Sequence, residues 1–215
     1  MKKYPCVLSI AGSDCSGGAG IQADIKTISA AGVYAASAVT AVTVQNTCGV
    51  SDVLPVPPQY VAAQIEAVMS DIHPDAVKIG MVSDADTVRA IAECLSRFKP
   101  RYIVFDPVMV SSSGRKLMRD EAVTVICQKL FPLCTLITPN IDEASMLLQR
   151  NITTVDEMKA AARELLRYGS GAVLLKGGHL DGERMTDILQ EKQSELPMAF
   201  DSQKVDSHNT HGTGC

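Results

Sequence analysis

The chain has 215 residues, of which 46% are hydrophobic and 20% charged, and a formal net charge of −4. That length buries roughly 70% of the unfolded surface, enough for one large domain, while dispersed Lys and Arg and the lack of tryptophan exclude a nucleic-acid surface and favour a small-molecule partner. No apolar run approaches the ~20 residues that span a membrane, no secretory h-region opens the chain, and seven scattered cysteines without CxxC pairs argue against disulfides or zinc, so the expected compartment is the reducing cytoplasm.

Short β-rich runs alternate with helical periodicity. Cys6 to Ile10 reads as a strand, Ile21, Ile25 and Ile28 mark one face of a helix, and the alternation from Ala35 to Val44 is the second strand of a βαβ opening. Val61, Ile65, Val68 and Ile72 imply a second helix, followed by the apolar run Ala76 to Val82. Val88, Ile91, Leu95 and Phe98 imply a third, stopped before Pro100, and Tyr102 to Phe105 is another strand. A helix around Ala122 to Leu130 and the strand Thr135 to Thr138 come next. A long helix then opens on the capping box Thr154 and Glu157 and ends at Gly169, before the buried strand Ala172 to Lys176. Beyond Met185 the helical period fades, and Thr186 to Gln190 and Met198 to Val205 read as an antiparallel extension. Strands joined by helix-length crossovers predict an α/β chain whose largely parallel sheet is covered on both faces, with ligands at the carboxyl ends of the strands.

Gly18-Ala19-Gly20-Ile21-Gln22-Ala23 matches the G-x-G-x-x-A form of a dinucleotide loop. The strand that should end in an acid to hold a ribose ends Val44-Gln45-Asn46 instead, which argues against NAD. Gly12 to Gly17 has the glycine spacing of a Walker A loop, yet Gly18 stands where its lysine belongs. On composition alone the glycines read as a tight turn entering a helix, but the polar residues around them shift the balance toward a ligand site. Ser13, Asp14, Asp24 and Gln45 gather polar groups near the carboxyl edge, where they can read a small heteroaromatic ring, although Asp24 also suits a solvated acid in a first helical turn.

"FDPV" puts Asp106 at the carboxyl end of an apolar strand, either as support for Mg²⁺ or a water network, or as a strand-ending acid before a turn-forming proline. "TPNIDEA" spaces Asn140 and Glu143 as an N-capping pair, and Glu143 can alternatively orient waters of Mg²⁺ beside phosphates. "LLKGGH" ends a strand with Lys176, which can neutralise phosphate oxygens or snorkel to solvent, and His179 reads as a loop residue. "NTHGTGC" places Gly212, Thr213 and Gly214 in a loop whose amides can converge on an anion, with Cys215 where a following helix would lower a thiol's pKa.

Taken together, "AGSDCSGGAGIQADIKT", "TAVTVQNTCGV", "KIGM", "FDPVM", "LITPN" with "EA", "LLKGGH" and "NTHGTGC" resemble the hydroxymethylpyrimidine/phosphomethylpyrimidine kinases of thiamine biosynthesis, in the ribokinase superfamily, over essentially the whole chain. The resemblance implies a ribokinase-like three-layer α/β/α sandwich in a single domain. It also implies ATP-dependent, Mg²⁺-assisted phosphorylation of 4-amino-5-hydroxymethyl-2-methylpyrimidine and then of its monophosphate. Asp24 and Gln45 would hold the pyrimidine, with Gly12, Met81 and Val108 lining its pocket. Asn140, Thr210 and Lys176 would serve ATP, and Asp106 and Glu143 the metal. The amides of Gly212 and Gly214 would stabilise the migrating phosphoryl group, Lys176 would assist, and Cys215 would stand where many sugar kinases carry a catalytic aspartate. Family members usually continue beyond this loop, so this chain is expected to lack a C-terminal segment, and a homodimer is the implied assembly. Pyridoxal/pyridoxine kinase is the rival of the same superfamily, and a catalytically silent precursor binder is the rival of another class; Gln45 and Met81 favour the pyrimidine.

Overall fold

Apolar runs become the strands of one sheet and periodic segments become the helices that cover it. The computed structural model describes residues 4–109, 118, 120–178, 180 and 184–204. In chain order the elements are β1 (Cys6–Asp14), α1 (Gly20–Ala30), β2 (Tyr34–Asn46), β3 (Gly49–Pro55), α2 (Pro58–Asp71), β4 (Ala76–Ile79), α3 (Ala85–Phe98), β5 (Tyr102–Phe105), α4 (Asp120–Val125), β6 (Leu136–Ile137), α5 (Ile141–Leu148), α6 (Val155–Leu165), β7 (Ala172–Leu175), β8 (Arg184–Glu191) and β9 (Met198–Gln203). The strand order is β3-β2-β1-β4-β5-β6-β7-β8-β9. The six strands from β2 to β7 in that order are parallel, and β3, β8 and β9 extend the sheet in antiparallel fashion.

β2 lies on one side of β1, and β4 to β7 follow on the other. Right-handed crossovers therefore put α1 on one face and α2 to α6 on the other. The packing agrees: α2 lies beside α3, α3 beside α4 and α5 beside α6, whereas α1 rests on β1 and β2. Val77, Ile79, Ile103, Phe105, Ile137, Val173 and Leu175 are buried beneath the larger helical layer. Their alternates on the α1 side, Lys78, Val104, Leu136 and Leu174, are half-buried. This is the three-layer α/β/α arrangement that the sequence predicts. Phe105, Phe131 and Tyr168 meet through the larger layer as tilted ring pairs at centroid separations of 5.7 and 6.0 Å, and the fully buried Phe105 and Phe131 each contribute about 1.5–3 kcal/mol.

Several boundaries differ from those read in the sequence. β1 continues past Ile10 to Asp14, because a register shift after Ala11 lets Ser13 and Asp14 pair with Val42 and Thr43. β3 was not expected; its residues are half-buried or exposed, so it lacks the alternation that marks a strand, and it forms by returning along β2 as a hairpin. The segment expected as one helix from Ala122 to Leu130 divides into α4 and a π turn, Ile126–Leu130, followed by a 3₁₀ turn at Phe131–Leu133. The ring of Pro132 would collide with the carbonyl four residues back in a continuous α-helix. β4 stops at Ile79, β6 keeps only Leu136–Ile137, and β9 ends at Gln203. Gly169 closes the α6 region in a left-handed conformation, as its sequence position requires. Among the described residues no helix is long and apolar enough to cross a membrane, and the six described cysteines are free thiols.

Candidate active site

The carboxyl ends of β1, β4, β5, β6 and β7 form a continuous rim, because the backbone keeps pairing where the named strands stop. Gly80 donates to the Ile10 carbonyl, Asp106 to Ile79, Thr138 to Phe105 and Lys176 to Pro139, each at 2.9 Å. Neighbouring strands lie about 4.8 Å apart, so these five ends line one edge of the sheet.

On the β1–β2–β4 side the glycine turn is built around Asp14. This carboxylate, 2% exposed, accepts the backbone N–H groups of Ser16, Gly18 and Ala19 at 2.8, 3.1 and 2.9 Å, and the Ser16 hydroxyl at 2.7 Å. The turn then delivers Gly20, at φ +57°, onto the Gly12 carbonyl, where an added Cβ would sit 2.2 Å from the oxygen. Asp14 is thus the centre of the turn rather than a reader of a ring. Ser13 is likewise committed, its hydroxyl accepting from the Gln22 amide at 2.8 Å.

Gly12 and Met81 meet across this side: a Cβ at Gly12 would lie 2.7 Å from the Met81 methyl. The Thr40 hydroxyl holds the Met81 carbonyl at 2.8 Å. The Thr43 hydroxyl lies 2.9 Å from the Ser13 carbonyl and 3.1 Å from Gln45 Oε1, which orients the Gln45 amide beside the turn. Asp24 sits one level below, with Oδ2 accepting from Ser9 Oγ at 2.5 Å and from Lys78 Nζ at 2.9 Å. It is a paired, half-buried acid rather than a solvated one. Lys78 was missed in the sequence; a lysine inside an otherwise apolar strand was the signal.

On the β5–β6–β7 side Lys176 Nζ lies 2.8 Å from Asp106 Oδ1, which also accepts from the Thr138 hydroxyl at 3.1 Å. Both members of this pair are largely shielded from solvent, so it serves to position its members more than to stabilise the fold. Asn140 and Glu143 form a full capping box for α5: Asn140 Oδ1 accepts from Glu143 N at 2.9 Å and Glu143 Oε2 from Asn140 N at 2.8 Å. Glu143 is nevertheless 4% exposed, and its other oxygen faces the Met109 N–H at 3.4 Å. Burial pushes its pKa up from 4.5 to about 7, with Asp106 adding repulsion and Asn140, Lys176 and Met109 opposing. Capping and site placement therefore coincide at one residue. Val108 follows Asp106 in a tight turn, its N–H donating to the Asp106 carbonyl at 2.9 Å.

Two carboxylates and a threonine hydroxyl facing one ammonium suit a hard divalent cation that keeps most of its waters; among the described residues no cage of three or more His, Cys, Asp or Glu exists. His179, Thr210, Gly212, Gly214 and Cys215 lie outside the described residues.

A profile of the family described as Phosphomethylpyrimidine kinase matches residues 14–215. The hydroxymethylpyrimidine/phosphomethylpyrimidine kinase of Escherichia coli is 47% identical over 97% of this chain, which covers 78% of that protein. The thiamine biosynthesis bifunctional protein ThiED of Geobacter sulfurreducens is 50% identical over 97% of this chain, which spans 42% of its length. Among solved structures, a phosphomethylpyrimidine kinase from Clostridium difficile aligns with a TM-score of 0.84 at 47% identity, covering 94% of this chain and 85% of that one. A pyridoxal kinase from Staphylococcus aureus in complex with AMP-PCP aligns with a TM-score of 0.89 at 32% identity, covering 100% and 78%.

Proposed function

The chain belongs to the phosphomethylpyrimidine kinase family, and from that premise we propose that it transfers the γ-phosphoryl group of ATP to the hydroxymethyl oxygen of 4-amino-5-hydroxymethyl-2-methylpyrimidine, and then to the phosphate of the product. The observation that carries this reading is the single edge of the sheet, from β1 through β4, β5 and β6 to β7, along which the Gly12–Met81 contact and the Asp106–Lys176 pair stand. A small flat acceptor and a polyphosphate donor fit side by side there.

Gln45, Gly12, Met81 and Val108 enclose the ring, and Asp24 accepts from it. Lys176 meets the negative oxygens of the donor, and Asn140 borders the nucleotide with Thr210. Phosphoryl transfer has a loose transition state, so positioning and charge neutralisation do most of the catalysis. The hydroxymethyl oxygen bonds to the γ-phosphorus as the bridging bond to ADP breaks in line, and the hydroxyl proton leaves to a base, which the family resemblance assigns to Cys215. Asp106 and Glu143 would hold Mg²⁺ through its waters, and the ion supplies charge shielding for the phosphate oxygens. The amides of Gly212 and Gly214 complete the neutralisation. A cytoplasmic homodimer accords with this reading.

Product analysis tests it. Incubation with the hydroxymethylpyrimidine and Mg-ATP, followed by mass spectrometry and ³¹P NMR, is expected to show the monophosphate and then the diphosphate. ADP release without a phosphorylated pyrimidine would overturn the assignment. A higher kcat/KM for pyridoxal than for the pyrimidine would transfer it to the rival vitamin kinase.

A further inference from the structure

Lys78 is half-buried in the middle of β4, on the face covered by α1, where an unpaired ammonium would be costly. Its chain curls toward the rim: a Cβ on Gly80 would lie 3.0 Å from Lys78 Nζ, so glycine at that position leaves the room the ammonium occupies. The ammonium is 2.9 Å from Asp24 Oδ2, and the hydroxyl of the fully buried Ser9 is 2.5 Å from the same oxygen. Both donors land on Oδ2. Oδ1 has no hydrogen-bond partner among the described residues, and the Asp24 side chain is 16% exposed.

We propose that Lys78, helped by Ser9, is a positioning residue for pyrimidine recognition: by anchoring Oδ2 it fixes the Asp24 carboxylate so that Oδ1 accepts the exocyclic amine of the ring. The proposal rests on the reading of this rim as a pyrimidine site. A carboxylate can only accept, and the ring nitrogens can only accept, so the donors on the substrate are its amine and its hydroxymethyl group. The hydroxymethyl is committed to phosphoryl transfer beside Asp106 and Lys176, which leaves the amine on the adjacent ring carbon as the donor for Asp24. A charge-assisted pair of this kind holds one geometry, where a free aspartate would sample several rotamers.

Calorimetric titration separates the possibilities, using the hydroxymethylpyrimidine and its analogue lacking the 4-amino group as probes. For Lys78→Met the affinity for the amine-bearing ring is expected to fall about tenfold, with Lys78→Arg recovering most of it. The affinity for the desamino analogue should be the same in wild type and Lys78→Met, and the KM for ATP should not move. A merely structural lysine would change both probes alike, and that outcome overturns the proposal. Ser9→Ala is a second, milder variant: it should show the same selectivity for the amine with a smaller loss, and equal losses for both probes would count against it. If Asp24→Asn discriminates between the probes while neither Lys78→Met nor Ser9→Ala does, the clamp is refuted and the pyrimidine site stands. If the wild type binds neither probe, the site reading fails and the clamp with it.

Discussion

Glu143→Gln isolates the cost of burying an ionisable carboxyl that has a second carboxylate, Asp106, nearby. Burial is the first cause of the upward shift, from 4.5 to about 7, and the nearby Asp106 is a further one. Each pKa unit is 1.36 kcal/mol, so the full shift corresponds to about 3 kcal/mol. The sign follows from proton binding: between these two values the native state holds a proton that the unfolded chain has released. The contribution is therefore complete below about pH 4.5 and is lost as pH rises through about 7. Glutamine keeps an acceptor at the third helical position, so the capping bond to the Asn140 N–H survives, and it cannot ionise. Urea unfolding at pH 5 and pH 8 is the assay. The wild type should lose up to about 3 kcal/mol more than Glu143→Gln between the two, equivalent to about 6–12 °C in Tm for a chain of this size. Parallel pH profiles for the two proteins would refute the burial argument.

The other predictions concern the glycine turn and the two halves of the rim. Gly20→Ala combines a left-handed φ with a Cβ 2.2 Å from the Gly12 oxygen, and should cost more than about 2 kcal/mol in denaturant unfolding. Gly32→Ala, also at positive φ but with nothing within 4 Å, should cost about 1 kcal/mol; equal losses would show that the close approach is irrelevant. Asp14→Ala leaves three backbone N–H groups without their acceptor and should destabilise by about 2–4 kcal/mol, a value that unfolding in urea measures. Gln45→Ala should weaken pyrimidine binding by about 1–3 kcal/mol with nucleotide binding unchanged, and an unaltered Kd by calorimetry would remove Gln45 from the site. Lys176→Met should lower kcat at least about 100-fold in a coupled ADP assay while the protein stays folded by circular dichroism.

The parts of the molecule that rest on local periodicity were legible. The alternation of apolar runs and helical faces implies a largely parallel sheet with helices on both sides, and the strand-ending positions of Asp106 and Lys176 put both on one edge. Their direct pairing at 2.8 Å, largely shielded from solvent, argues against the reading that turned Lys176 to solvent. Long-range partners were not legible. Asp14 looked like a ligand-reading acid, but the nearest donors to a carboxylate followed by Ser16 and two glycines are the N–H groups of its own turn. Asp24 and Lys78 are 54 residues apart and meet only because α1 crosses over β4's neighbour. β3 carried no pattern because neither of its faces is buried, and its existence depends on the ladder that β2 offers. The π turn at Ile126–Leu130 followed from Pro132, a residue that helix-end rules place outside the helix rather than inside its last turns.

A structure determined with the hydroxymethylpyrimidine and a non-hydrolysable ATP analogue bound together addresses the central claim directly. It should place the ring against Gly12, Met81 and Gln45 and the γ-phosphate against Lys176, with the hydroxymethyl oxygen about 3–3.5 Å from the γ-phosphorus. Ligands found on separate faces of the sheet, or a pyrimidine whose hydroxymethyl group points away from Asp106 and Lys176, would contradict the account.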